Sequence, residues 1–187
     1  IIWIKSTAEL WANPTVTENG NGLYLGGYSV CTINGYVHGS NGVYVKSGDV
    51  DIVDAVIKSD NPNYTEIAGK GSGTEGSGNA IVIESNAGYS GATEVNISGD
   101  TKVEAESGYA IQEVITNTPG GETKVEGITI EGGTFIGGDE KGAIVISEES
   151  SDDVVINAGS FSDGSANDYI NAEGGIITEI TNEKGEV

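Results

Sequence analysis

Apolar residues in this chain recur at every second position, in short runs closed by glycine, asparagine, aspartate or serine. Val95/Ile97, Ile128/Ile130 and Val154/Ile156 show the pattern most clearly. A two-residue period places the apolar side chains of a run on one face of a β-strand. Val and Ile dominate these runs and suit a pleated surface. No segment sustains a helical period, so the chain reads as all-β. The one helix-like opening is Ser6-Thr7-Ala8-Glu9-Leu10-Trp11, with Ser6 as N-cap and Glu9 completing a capping box. Residues 1–20 are therefore expected to form an N-terminal cap, and residues 21–187 a single repeat domain.

Two strand signals alternate along that domain. The first reads Gly22-Leu23-Tyr24-Leu25, Gly42-Val43-Tyr44-Val45, Ala80-Ile81-Val82-Ile83, Ala110-Ile111-Gln112-Glu113 and Ala143-Ile144-Val145-Ile146, with a fainter copy at Tyr169-Ile170-Asn171. The second reads Cys31-Thr32-Ile33-Asn34-Gly35, Val50-Asp51-Ile52, Val95-Asn96-Ile97-Ser98-Gly99, Ile128-Thr129-Ile130-Glu131-Gly132 and Val154-Val155-Ile156-Asn157-Ala158. Successive copies lie about 20 to 40 residues apart, the period of stacked repeats. The expected architecture is a parallel β-helix solenoid of about five or six coils, with strands about 4.8 Å apart and a rod about 25–30 Å long. Its core would be built from stacked equivalent positions. Ile33, Ile52, Ile97, Ile130 and Ile156 form one ladder, Leu25, Val45, Ile83 and Ile146 a second, and Phe135 over Phe161 a third. Glu113 falls where the second ladder needs an apolar residue, which predicts either a register slip to Val114 or a bulge.

The Val/Ile-x-Ile-x-Gly-x-Thr/Ser-Phe copies at 128–135 and 154–161, with looser copies at 95–101 and 31–37, carry a resemblance. The chain resembles right-handed parallel β-helix proteins of the pectin-lyase-like kind over residues 22–170. That resemblance implies a right-handed solenoid. It implies two kinds of function: polysaccharide lyases and hydrolases, or non-enzymatic bacterial surface proteins and adhesin stalks. A shared fold does not choose between them.

Composition narrows the choice. The 187 residues include 30 Gly, which suits a chain that must turn sharply at many corners. Asp and Glu number 29 against 8 Lys and no Arg, giving a net charge of −21. Such a surface repels nucleic acid, anionic lipid and polyanionic polysaccharide. No apolar run is long enough to cross a membrane as a helix. A start at Ile1 without any Met is expected of a chain whose leader has been removed, in keeping with a secreted or cell-surface protein, or of a fragment of a longer chain.

Candidate chemistry is sparse. Cys31 is the sole cysteine, which excludes an internal disulfide, and it reads as a small buried hydrophobe rather than a partner of His38. A neutral-glycan hydrolase needs two carboxylates at fixed separation, but 29 acidic residues make a pair such as Asp139-Glu140 or Asp152-Asp153 uninformative. No cofactor is assigned; structural calcium is the alternative, at Asp49 and Asp51 on one strand face with Asp152-Asp153 in a loop. Aromatic residues gather near the start: Trp3, Trp11, Tyr24, Tyr28, Tyr36 and Tyr44. Tyr24 and Tyr44 hold equivalent positions and are expected to stack outward as a platform for a sugar ring, with Tyr36 and Trp11 as further binding candidates. The expected function is a non-enzymatic, surface-displayed repeat module, an adhesin stalk or assembly component, that presents a face and loops to a glycan or to other copies of itself. Residues 178–187 carry no recognisable cap, which suggests either continuation into further repeats or head-to-tail association. The alternative is a glycoside hydrolase or lyase of the same fold.

Overall fold

The computed structural model describes residues 8–9, 20–67, 76–86, 93–116 and 125–171. Twelve strands account for most of them: β1 (Ala8–Glu9), β2 (Asn21–Leu25), β3 (Ser29–Gly39), β4 (Asn41–Val45), β5 (Gly48–Ser59), β6 (Ile81–Asn86), β7 (Thr93–Ser98), β8 (Lys102–Ala105), β9 (Ile111–Thr116), β10 (Gly127–Ile136), β11 (Ile144–Val145) and β12 (Val154–Phe161). They form two sheets. The first has seven strands in the order β1-β3-β5-β7-β10-β12, with β8 set between β5 and β10; the second has five, in the order β11-β9-β6-β4-β2. Every strand pair is parallel. From β2 onward the chain passes from one sheet to the other and back, and each strand lies on its counterpart from the preceding pass.

The two-residue period is expressed directly in burial. In β3, Cys31 and Ile33 are buried while Val30, Thr32 and Asn34 are exposed; in β7, Val95 and Ile97 are buried beside exposed Glu94. The isoleucine ladder forms as the sequence predicts, with Ile33, Ile52, Ile97, Ile130 and Ile156 in register and Ile170 bridging the far end. The phenylalanine stack forms too, as Phe135 and Phe161 lie face to face with centroids 4.9 Å apart at 12°. Val37, Ile57 and Val103 extend that ladder toward the start of the chain. Each fully buried Ile contributes about 1.5–3 kcal/mol.

In the second sheet Leu25, Val45 and Ile83 stack as expected, but the next position is Glu113. Neither a slip to Val114 nor a bulge occurs: Ile83 pairs with Glu113 and Glu84 with Val114 in unbroken register. Ile146 is buried just beyond the end of β11.

One corner of the first sheet repeats in every layer. Gly35, Gly99, Gly133 and Gly159 take positive φ at 105°, 69°, 112° and 145°, and Asp54 takes the same turn at 49° as the one non-glycine with positive φ among the described residues. The left-handed region is costly for a residue with a Cβ. Asp54 offsets that cost by accepting a hydrogen bond from the Asp100 N–H at 2.9 Å. A Cβ on Gly99 would collide with the same carboxylate, so the glycine is required where the next layer passes.

The two ends of the stack differ from the sequence expectation. Ala8 and Glu9 form a parallel strand against Cys31 and Thr32, not a helix, because an open sheet edge offers backbone partners that a single capping box cannot match. Residues 1–7 and 10–19 of the expected cap lie outside the described residues. At the other end, the 3-10 helix Gly164–Tyr169 folds under the last layer. Asp163 Oδ1 accepts from the Ala143 N–H at 3.0 Å, and Ser165 Oγ accepts from the Ile144 N–H at 3.0 Å. Asn171 N–H donates to the Ile156 carbonyl at 2.9 Å. Edge groups are thus satisfied within residues 163–171, upstream of the segment 178–187, which lies outside the described residues.

Candidate functional site

The structure does not assemble the predicted aromatic platform. Tyr24 and Tyr44 are register partners, but their rings are tilted at 51° with centroids 5.5 Å apart. Tyr24 is half-buried and Tyr44 is only 1% exposed. The Tyr44 hydroxyl donates to Glu84 Oε2 at 2.7 Å. A ring buried in this way offers no face to a sugar. Tyr36 stands on the other sheet, 36% exposed, beside His38 at 5.7 Å and in register with Val56. Trp11 and Trp3 lie outside the described residues.

Tyr44 belongs instead to a buried polar cluster. Glu84, 1% exposed, accepts from Tyr44 and from the Thr116 hydroxyl, and its Oε1 lies 3.3 Å from the ammonium of Lys46, itself 4% exposed. β4, β6 and β9 each contribute to this cluster or lead directly into it, so it ties successive layers of the second sheet together. The signal was present in the repeats: after Val43-Tyr44-Val45 comes Lys46, and after Ile81-Val82-Ile83 comes Glu84, opposite charges at equivalent positions.

Glu113 makes a second buried polar centre. Its Oε1 accepts from Ser85 Oγ at 2.7 Å and from Ser150 Oγ at 3.1 Å, and its Oε2 accepts from the Ser147 N–H at 2.8 Å. Ser150 in turn accepts from the Val125 N–H at 3.3 Å. Buried carboxylate oxygens need donors, and here both have them. The donors come from β6 and from the segment around the 3-10 helix Glu148–Asp153, so Glu113 fastens three passes of chain at one point.

A run of amides does the same at the entrance to the second sheet. Asn41 Nδ2 donates to Asn21 Oδ1 at 2.9 Å, while Asn41 Oδ1 accepts from the Ser77 N–H and hydroxyl at 2.9 and 2.8 Å. Asn79 Nδ2 donates to Ser77 Oγ at 2.8 Å and to Gln112 Oε1 at 2.6 Å. Asn41 and Asn79 are fully buried.

The remaining candidates stay apart. Cys31 is buried, and burial, with Asp51 and Asp49 nearby, pushes its thiol up to about 11. It is therefore a protonated thiol at neutral pH and a poor nucleophile. His38 Nε2 lies 2.7 Å from Asp60 instead. Asp49 and Asp51 stand on β5, where Asn96 Nδ2 donates to Asp51 Oδ1 at 3.2 Å. Asp152 and Asp153 end the 3-10 helix before β12, with β7 and β10 between them and β5 in the sheet order. Among the described residues, no group of three or more His, Cys, Asp and Glu side chains is placed to hold a metal ion. No helix among them is long and apolar enough to cross a membrane.

No protein family, no curated protein and no solved structure matches the chain. The class of protein rests on its own geometry: an all-β chain laid in two parallel sheets, with polar fasteners between its layers.

Proposed function

We propose that the chain is a right-handed parallel β-helix module displayed outside the cell, which presents the outer face of its first sheet to a neutral glycan or to further copies of itself. The handedness follows from the strong preference of parallel crossovers for a right-handed path. The observation that carries the display reading is the placement of the exposed large apolar residues. Val30, Tyr36, Val56 and Val155 are 36–39% exposed, and all stand on strands of the first sheet. These neutral side chains share the outward face with Asp49, Asp51 and Glu94, and on a chain of net charge −21 that face favours uncharged ring-bearing partners over polyanions. The fully buried carboxylates, Glu84 and Glu113, are engaged in joining layers, which supports a structural role for them rather than acid–base chemistry.

The test is a titration of neutral oligosaccharides, run beside sedimentation velocity of the same protein, with the Tyr36→Ser/Val56→Ser double variant as control. The expected result is saturable glycan binding or concentration-dependent association in the parent, and loss of either in the variant. A parent that stays monomeric and binds no neutral glycan overturns the reading. Release of new reducing ends from a polysaccharide replaces it with the hydrolase.

A further inference from the structure

In a chain with 29 acidic residues, one lysine ammonium rests on aromatic rings instead of a carboxylate. Tyr64, Tyr109 and Lys141 lie on three successive passages from the first sheet to the second: after β5, before β9 and before β11. Stacking of the layers brings them to one corner. The two rings meet edge to face, with centroids 5.9 Å apart at 85°. Lys141 Nζ is 4.3 Å from the Tyr64 centroid and 5.6 Å from that of Tyr109. Among the described residues the ion pairs are His38–Asp60, Lys46–Glu84 and Lys102–Glu104, and Lys141 is in none of them.

The backbone that carries the rings is held by bonds that do not involve Lys141. The Tyr109 N–H donates to Asn79 Oδ1 at 2.8 Å, and the Tyr109 carbonyl accepts from the Ala80 N–H at 3.0 Å. Beside Tyr64, the Thr65 N–H donates to the Ser77 carbonyl at 3.0 Å. Asn79, which accepts from Tyr109, also donates from its Nδ2 to Gln112 Oε1 at 2.6 Å. The buried amide run therefore reaches out to the notch and fixes one wall of it. Lys141, by contrast, projects from a tight turn closed by its own N–H on the Gly138 carbonyl at 2.9 Å, next to exposed Asp139 and Glu140.

We propose that the Tyr64–Tyr109 notch is an exchangeable cation site for a methylated or quaternary ammonium group, with Lys141 as its resident occupant. The reasoning is comparative. A lysine ammonium is compact and strongly hydrated, so it gains less from leaving water for a ring face than a methylated ammonium does. On displacement its side chain turns outward, where exposed Glu140 receives the charge at the surface. The backbone of both tyrosines stays anchored, and their edge-to-face contact does not pass through Lys141. A net charge of −21 concentrates cations at the surface and repels anions from the same corner. The site is independent of the outer face of the first sheet.

The probe is tetramethylammonium chloride, titrated against sodium chloride at equal ionic strength, with the ring carbons of Tyr64 and Tyr109 and the ε-methylene of Lys141 followed by NMR. In the parent protein the expected result is saturable ring shifts together with loss of the ring-current shift on the Lys141 ε-methylene. Lys141→Ala, and equally Lys141→Gln, is expected to tighten binding by about tenfold, the effect of removing a competing occupant held by about 1.4 kcal/mol. Adding Tyr109→Leu to either variant is expected to abolish the shifts. The proposal is overturned if sodium produces the same shifts, if Tyr109→Leu leaves them unchanged, or if the Lys141 variants bind no tighter than the parent. It is also overturned if a neutral oligosaccharide shifts the rings and tetramethylammonium does not.

Discussion

The two sheets solve the same packing problem with opposite materials. In the first sheet the two central inward ladders are apolar from end to end, Cys31, Val50, Val95, Ile128 and Val154 in one and the five isoleucines in the next, with the small buried hydroxyls of Ser29, Thr93 and Ser59 at the strand ends. Its outward positions meet solvent, and burial alternates along β3 and β7. In the second sheet β4 is buried at all five positions, and β6 is buried from Ile81 to Glu84 on both faces. A parallel strand covered on both sides is ordinarily apolar throughout. Here it carries Asn41, Lys46 and Glu84, with Glu113 on the next strand, and every one of these is hydrogen-bonded or ion-paired to another layer. The first sheet is held by surface removed from water, which is insensitive to small shifts along the stack. The second adds to its own apolar ladders a set of directional bonds, which fix register and are costly when one partner is lost.

The contrast predicts a ranking of substitutions. Glu113→Ala would leave Ser85 Oγ, Ser150 Oγ and the Ser147 N–H without their shared acceptor, at a cost on the order of 3–6 kcal/mol for three orphaned donors. Urea unfolding measures it, and a cost below that of a simple cavity would erase the distinction between the sheets. Ile97→Ala, in the middle of the apolar ladder, is expected to cost about 2–5 kcal/mol by the same assay, with Ile33→Ala at the stack's edge nearer the lower figure. At the corner, Asp54→Ala is expected to be less stable than Asp54→Gly by about 1–2 kcal/mol, because alanine keeps the left-handed strain and only glycine is free of it. Thermal melting of the two variants side by side decides that point.

The smallest effect concerns Cys31. Its thiol is held protonated in the folded chain up to about 11, above the 9.0 of an exposed thiol. A raised folded value means the unfolded chain loses its proton first. Stability from this group is therefore complete below pH 9 and declines as pH rises from there toward about 11. Melting temperature in that window should fall less steeply for Cys31→Val than for the parent. An equal slope in both proteins would show that the thiol does not sense its burial.

How much of this was legible in the sequence follows from the physics of each region. The apolar ladders were readable because strand period and repeat copy both act on the same residues, such as Ile97 and Ile130. The positive-φ corner was half readable: the glycines announced it, while Asp54 is understood only once the Asp100 N–H is seen beside it. Tyr24 and Tyr44 were paired correctly, but local alternation says which side of a strand a residue takes and not whether that side meets water. Glu113 read as an error in an apolar ladder because its donors lie 28, 34 and 37 residues away in sequence. Ala8 and Glu9 followed a sheet edge rather than their own capping signal, a case of distant pairing overriding local preference. Tyr64, Tyr109 and Lys141 fall in connections of unequal length, where repeat alignment gives no register and only the fold brings them together.

The central claim is that the second sheet is fastened by charge-bearing contacts between layers, and a double-mutant cycle on Lys46 and Glu84 tests it most directly. Urea unfolding of Lys46→Met, Glu84→Leu and the double variant supplies the three free energies. The account predicts that each single change costs about 3–5 kcal/mol, because a buried charge is left behind, and that the double variant costs clearly less than the sum of the two, keeping only the loss of an acceptor for the Tyr44 and Thr116 hydroxyls. Single changes that cost less than about 1 kcal/mol, and simply add in the double variant, would contradict it.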